Sequence, residues 1–195
     1  MARTLHQDQP LYRAGEPLET ARAVMLMLHG RGASAQDILS LTQELPREGF
    51  CFLAPQAANA TWYPFRFMEP MEKNEPWLSS ALNLVDAIVQ RVRDANFSNE
   101  KIFLLGFSQG ACLALEYSAR HAQKYGGIVG LSGGLIGPDG TPRDYFGSFD
   151  GTPVFLGCSD VDFHIPKERV METRDVFERM GANVTMRLYP NMEHT

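Results

Sequence analysis

Short apolar runs alternate along this chain with stretches whose apolar residues recur every three or four positions. Runs at 23–28, 50–54, 102–105, 128–131, 154–156 and 184–189 are rich in β-formers and predict strands. Helical spacing appears at 35–45, 78–92, 111–121 and 167–180. The second of these is the sharpest: Leu78, Leu82, Val85, Ile88, Val89 and Val92 fall on one stripe. Gly181 ends the last, as a helix-stop residue. Near-continuous apolar strands separated by helices predict an α/β fold, a mainly parallel twisted sheet with helices on both faces. Ligands bind such sheets at the carboxyl ends of the strands. Two segments lack periodicity: 55–77, rich in aromatics, Met and Pro, and 132–151, rich in Gly, Pro and Asp. Loops of this length are expected to border a site. No repeat, linker or low-complexity tract interrupts the pattern.

One boundary in this pattern carries chemistry. The apolar run 102–105 stops at Gly106-Phe107-Ser108-Gln109-Gly110, and a helical pattern follows at once. That is a G-x-S-x-G nucleophile elbow in its strand–turn–helix setting. The turn is so sharp that small residues are needed two before and two after the serine. Ser108 is then held at strained backbone angles with its hydroxyl above the sheet edge. The pattern alone arises by chance in on the order of 6% of chains this long, so its context decides.

Composition narrows the class. The chain has 195 residues, 44% hydrophobic and 21% charged, with net charge −5. This suits one globular domain. There is no basic cluster interleaved with aromatics, so nucleic-acid binding is not expected. Residues 1–22 carry polar and charged groups throughout, unlike a signal peptide, and no apolar run reaches the length of a membrane span. Cys51, Cys112 and Cys158 are odd in number and lack CxxC spacing. Two of them fall in apolar strand or helix patterns and read as small buried hydrophobes, which fits a reducing cytoplasm. No His, Cys, Asp or Glu grouping has metal-ligand spacing, so neither metal nor other cofactor is expected.

A serine hydroxyl needs a general base, commonly a histidine oriented by a carboxylate. In α/β-hydrolases the chain order is Ser, then Asp or Glu, then His. Asp162 follows the run 154–156 and competes with Asp160, an ordinary turn or capping residue. His194 follows the run 184–189 and competes with His29, His121 and His164. His121 lies late in a helix, where a solvated or capping side chain is the plainer role. His164 reads as lining the site or facing solvent, and His29 as support for its loop. His194 has the required order and placement. The loop His29-Gly30-Arg31-Gly32 follows the first long strand, the place that supplies one oxyanion-hole N–H. The backbone N–H groups of Arg31 and Gln109 are the expected pair, against the alternative of a plain Gly-rich turn. Asp37 reads as a helix first-turn residue. Trp62, Tyr63, Phe65, Phe67, Met68, Met71 and Phe163 are the candidate apolar pocket. Arg66 reads as a solvated arginine or a partner for a substrate carboxylate.

These pieces together resemble the phospholipase/carboxylesterase family of α/β-hydrolases, which includes acyl-protein thioesterases and small bacterial carboxylesterases. The resemblance rests on Leu28-His29-Gly30-Arg31-Gly32, Gly106 to Gly110, Leu131-Ser132-Gly133-Gly134, Asp160-Val161-Asp162 with Pro166 downstream, and 189–194. It implies Ser108, Asp162 and His194 as a catalytic triad, with Arg31 and Gln109 at the oxyanion hole. It implies a serine esterase for small-molecule esters. A thioesterase or lysophospholipase on the same triad is the alternative, and a silent binding protein a third reading. Two departures are visible. The thioesterases carry His-Gly-Asp where this chain has Gly157-Cys158-Ser159. They read Ser-Trp-Phe-Asp where it has Thr61-Trp62-Tyr63-Pro64-Phe65-Arg66-Phe67. Both point toward the small bacterial esterases. The domain reading is one α/β-hydrolase domain over 1–195, with the family's C-terminal helix missing from the chain. Without that helix, apolar surface beside the sheet is expected to stay uncovered, with instability or a homodimer as the consequence.

Overall fold

The computed structural model describes residues 5–194. Seven strands form one sheet: β1 (Leu11–Gly15), β2 (Ala23–Leu28), β3 (Phe50–Pro55), β4 (Ile102–Phe107), β5 (Gly127–Leu131), β6 (Pro153–Ser159) and β7 (Asn183–Tyr189). Their spatial order is β1-β3-β2-β4-β5-β6-β7. All neighbours are parallel except β1, which pairs antiparallel with β3. Four helices connect the strands: α1 (Ala35–Ser40), α2 (Trp77–Asp94), α3 (Gln109–Arg120) and α4 (Lys167–Arg179).

Period-2 alternation explains why the inner strands read as continuous apolar runs. In β2, Val24, Leu26 and Leu28 pack with α2, α3 and α4, whereas Met25 and Met27 pack with Ala35 and Ile38 of α1. Strands β3 and β4 divide the same way, with Cys51, Leu53 and Leu104 on the first face and Phe52 and Leu105 on the second. A strand buried on both faces has no polar side to show. Fully burying one Leu- or Val-sized side chain contributes about 1.5–3 kcal/mol, so the α2 stripe anchors the first face. All six of its predicted residues are buried.

The edges follow different rules. β7 alternates exposed and half-buried positions, as an edge strand covered on one face does. β1 was not predicted: its Leu-Tyr-Arg-Ala-Gly has no apolar run, and its pairing with β3 is long-range. The expected helix over 35–45 is shorter. α1 ends at Ser40 and continues as a 3-10 turn at Leu41–Gln43. At its start Ser34 and Asp37 form a reciprocal capping box, so Asp37 is the first-turn residue expected. Gly181, at φ +85°, closes α4 in a Schellman arrangement, with Ala182 N–H donating to Phe177 O and Gly181 N–H to Glu178 O.

The chain runs from β2 to β3 on one side, then crosses back over β2 to reach β4. The carboxyl ends of β2 and β4 therefore meet at a topological switch point, with Leu28 opposite Gly106. Such a point opens a crevice for ligands. On the α1 face, Phe107, Phe155 and Tyr189 of the sheet, with Ile38 and Leu41, line a separate apolar cavity of about 500 Å³.

Candidate active site

Ser108 stands at the carboxyl end of β4 with φ +53° and ψ −119°. An L-residue holds such angles only under constraint. Its N–H donates to Leu131 O (2.9 Å), and its carbonyl accepts from Cys112 N–H (3.0 Å) as α3 begins. The flanking glycines are steric requirements. A Cβ on Gly106 would run into the Gly110 carbonyl, and one on Gly110 into the Leu28 carbonyl. The helix therefore starts against the back of β2, directly beneath the serine.

Two distant loops reach Ser108. His194, after β7, places Nε2 2.8 Å from Ser108 Oγ and Nδ1 2.6 Å from Asp162 Oδ2. Asp162, after β6, is held in turn. Its Oδ1 accepts from His164 N–H (2.7 Å) and Ile165 N–H (3.0 Å), and the Cys158 thiol approaches Oδ2 at 3.8 Å. Burial acts to raise the Asp162 carboxyl, but the bonds from His194 and the two N–H groups hold it below its ordinary value. The His194 ring lies between Phe107 (5.4 Å) and an edge-on His164 (4.9 Å). Asp160 does not join this set; its Oδ1 accepts from Asn191 N–H.

The backbone N–H groups of Arg31 and Gln109 donate to no other group among the described residues. Both residues line a cleft of about 480 Å³ together with Ser108 and His194. Backbone donors left free beside a serine are the arrangement an oxyanion requires. The loop carrying Arg31 is supported from below by His29. Its Nδ1–H donates to Gly30 O (2.8 Å), and Nε2 accepts from Ala57 N–H (3.0 Å). Burial pushes the His29 pKa down.

The segment after β3 forms the cleft wall, and three polar side chains fix it. Gln109 Oε1 accepts from Trp62 N–H (2.9 Å) and the Thr61 hydroxyl (3.2 Å), while Nε2 donates to Tyr63 O (2.7 Å). Arg31 donates to Pro64 O (2.7 Å) and Phe65 O (2.6 Å). Buried Asn74 accepts from Phe65 N–H (2.8 Å) and donates to Arg66 O (3.2 Å).

Of the expected pocket residues, Tyr63, Phe65 and Phe67 line the cleft. Trp62, Met68, Met71 and Phe163 do not. Trp62 is wholly buried behind the wall, where its indole N–H donates to His29 O (2.8 Å). Met68 and Met71 pack against the core. Phe163 is 92% exposed and turned outward. No residue of 132–151 lines the cleft; that segment is tied down by buried Glu116, Arg143 and Arg169. Pro64, Glu69, Cys112 and Ile165 line it without having been expected to, while Arg66 and His164 line it as one of the two readings given for each allows. Cys112 was foreseeable, standing one helical turn beyond Ser108. His6 was missed: it is buried under the wall, bonding Trp62 O and Ala58 N–H.

Among the described residues no cluster of His, Cys, Asp and Glu could hold a metal, and no helix is long and apolar enough to cross a membrane.

Known proteins are similar to this chain at several depths. The acyl-protein thioesterase 1 of Saccharomyces cerevisiae is 26% identical over 204 positions, covering 94% of this chain and 90% of that protein. A phospholipase/carboxylesterase from Dyadobacter fermentans has a solved structure with TM-score 0.95 and 42% identity, covering 100% of this chain and 93% of its own. Arabidopsis thaliana SOBER1, at TM-score 0.73 and 22% identity over 90% of this chain, shares the fold. The family model described as Phospholipase/Carboxylesterase matches residues 13–195. With that match spanning nearly the whole chain, the protein belongs to the phospholipase/carboxylesterase family of α/β-hydrolases.

Proposed function

We propose that this protein is a serine carboxylesterase working through an acyl-enzyme on Ser108. The observation that carries the reading is the continuous relay from Ser108 Oγ through both ring nitrogens of His194 to Asp162. In this reading His194 takes the Ser108 proton as Oγ attacks an ester carbonyl. The Arg31 and Gln109 N–H groups receive the oxyanion, each worth a few kcal/mol of barrier. His194 then gives the proton to the leaving alcohol and activates the water that releases the acid. Asp162 sets the ring tautomer: with Nδ1–H donating to Asp162, Nε2 is free to accept from Ser108. The chain's own residues suffice, acting as one domain over 1–195. The free, buried thiols of Cys51, Cys112 and Cys158 fit a cytoplasmic setting.

A fluorophosphonate probe tests the assignment. Wild type should be labelled at one serine, and Ser108→Ala should lose both label and turnover. Retained turnover in folded Ser108→Ala protein would falsify it. A thioesterase reading on the same residues is favoured by the acyl-protein thioesterase relatives. Matched esters and thioesters of increasing acyl length separate the two chemistries.

A further inference from the structure

The cleft beside Ser108 has an unbalanced hydrogen-bond inventory. Its side-chain acceptors are engaged apart from one oxygen of the Glu69 carboxylate. Gln109 Oε1 receives Trp62 and Thr61, Glu69 is paired with Lys73 at 2.9 Å, and Ser108 shares its bond with His194. Its donors are not. Arg66, exposed at the rim, reaches only the Phe163 carbonyl at 3.5 Å and forms no ion pair among the described residues. The Arg31 guanidinium spends its bonds on two backbone carbonyls, so no described carboxylate offsets its charge. Behind the cleft, the Tyr63 hydroxyl is sealed from solvent beside the Cys112 thiol. Burial holds Tyr63 protonated and pushes its neighbour Cys112 up to about 12, so both remain neutral donors. Beside the relay histidine His194, the His164 ring also lines the cleft and can serve as donor or acceptor. Two guanidinium groups with no carboxylate partner among the described residues, those of Arg31 and Arg66, thus belong to residues lining the cleft of a chain with net charge −5.

We infer that the cleft selects esters that carry a second, free carboxylate, which Arg66 pairs. The occupant must supply acceptors and negative charge, and a carboxylate supplies both. The planar guanidinium suits it because Arg meets carboxylates in a bidentate fork. This inference rests on the esterase reading of Ser108.

Two matched pairs test it by pH-stat: methyl hydrogen glutarate against methyl valerate, and 3-acetoxypropanoate against propyl acetate. The first places the carboxylate on the acid side, the second on the alcohol side. One pair should favour the anion by about tenfold or more in kcat/KM, carried mainly in KM and shrinking with added salt. Arg66→Gln should bring that ratio toward one, and Arg66→Lys should keep part of it. Ratios near one for both pairs, or an Arg66→Gln effect equal on both members of a pair, overturn the inference. If wild type cleaves no ester and takes no fluorophosphonate, the esterase reading falls instead. The subsite is then judged by calorimetry, with glutarate expected to bind wild type more tightly than Arg66→Gln. Equal binding overturns it.

Discussion

The backbone N–H of Trp62 donates to the Gln109 side chain across 47 residues of sequence, at 2.9 Å. Gln109 thus serves twice. It lines the cleft next to Ser108, and its side-chain amide pins the wall of that cleft. Replacing Gln109 by Ala leaves the buried Trp62 N–H without its partner and the Tyr63 carbonyl with only the Thr61 hydroxyl as donor. The expected loss is about 2–4 kcal/mol, read as a lower denaturant midpoint at unchanged m-value. Gln109→Glu should not rescue it, because a carboxylate oxygen would replace the donor to Tyr63. A rescued midpoint would show that the wall is held by other contacts.

Ser108 sits at φ +53°, where glycine is at ease and serine is not. Strain at such a position is on the order of 1–3 kcal/mol. Ser108→Gly should therefore raise Tm by about 2–4 °C while abolishing turnover. Calorimetry decides this directly, and a fall in Tm would mean the elbow is not strained.

Asp162→Asn separates orientation from folding. An Asn oxygen can still accept from the His164 and Ile165 N–H groups, so Tm should change little. The group facing His194 Nδ1 would become a donor when the oxygen stays on those N–H groups, and the ring would lose the tautomer that leaves Nε2 free. Turnover should fall by about ten-thousandfold. Near-wild-type turnover would remove Asp162 from the relay.

His6 and His29 predict the acid limit of stability. Each is buried and accepts a backbone N–H at one ring nitrogen, from Ala58 and Ala57 respectively. Protonation would set two donors face to face. Burial accordingly depresses both pKa values. The folded state then binds fewer protons than the unfolded chain, whose histidines titrate near about 6.5. Their contribution is whole above that pH and is lost as pH falls from there toward the folded values. Asp162, also depressed, acts in a separate window. Its contribution is present above the ordinary carboxylate range and lost as pH falls through its folded value. Tm should start to decline below about pH 6.5, well before carboxylates protonate. A flat Tm between pH 7.5 and 5.5 would contradict this.

Much of the scaffold was legible because buried strands and amphipathic helices write their periods locally. The α2 stripe, the Gly181 stop and the Gly106–Gly110 elbow each depend on neighbours within a few residues. β1 was not legible, since Leu11 to Gly15 become a strand only by pairing with residues near position 53. The pocket list failed in part for a related reason. Composition marks Trp62, Tyr63 and Phe67 alike as aromatic, yet Trp62 faces the core and Phe67 the cleft. The side each takes depends on Gln109, Asn74 and Arg31, which lie elsewhere in the chain.

Sequence alone determined the elbow, the order Ser108–Asp162–His194 and the layered sheet, because each is set by local sterics or by order along the chain. Only the tertiary structure decided that the three residues meet at hydrogen-bond distance. It also decided that Asp160 stands aside, and that the cleft is left with spare donors rather than spare acceptors. Those outcomes depend on which side chains satisfy one another across long sequence separations. Hydrogen-bond satisfaction is settled in space, where every buried polar group must find its partner at once.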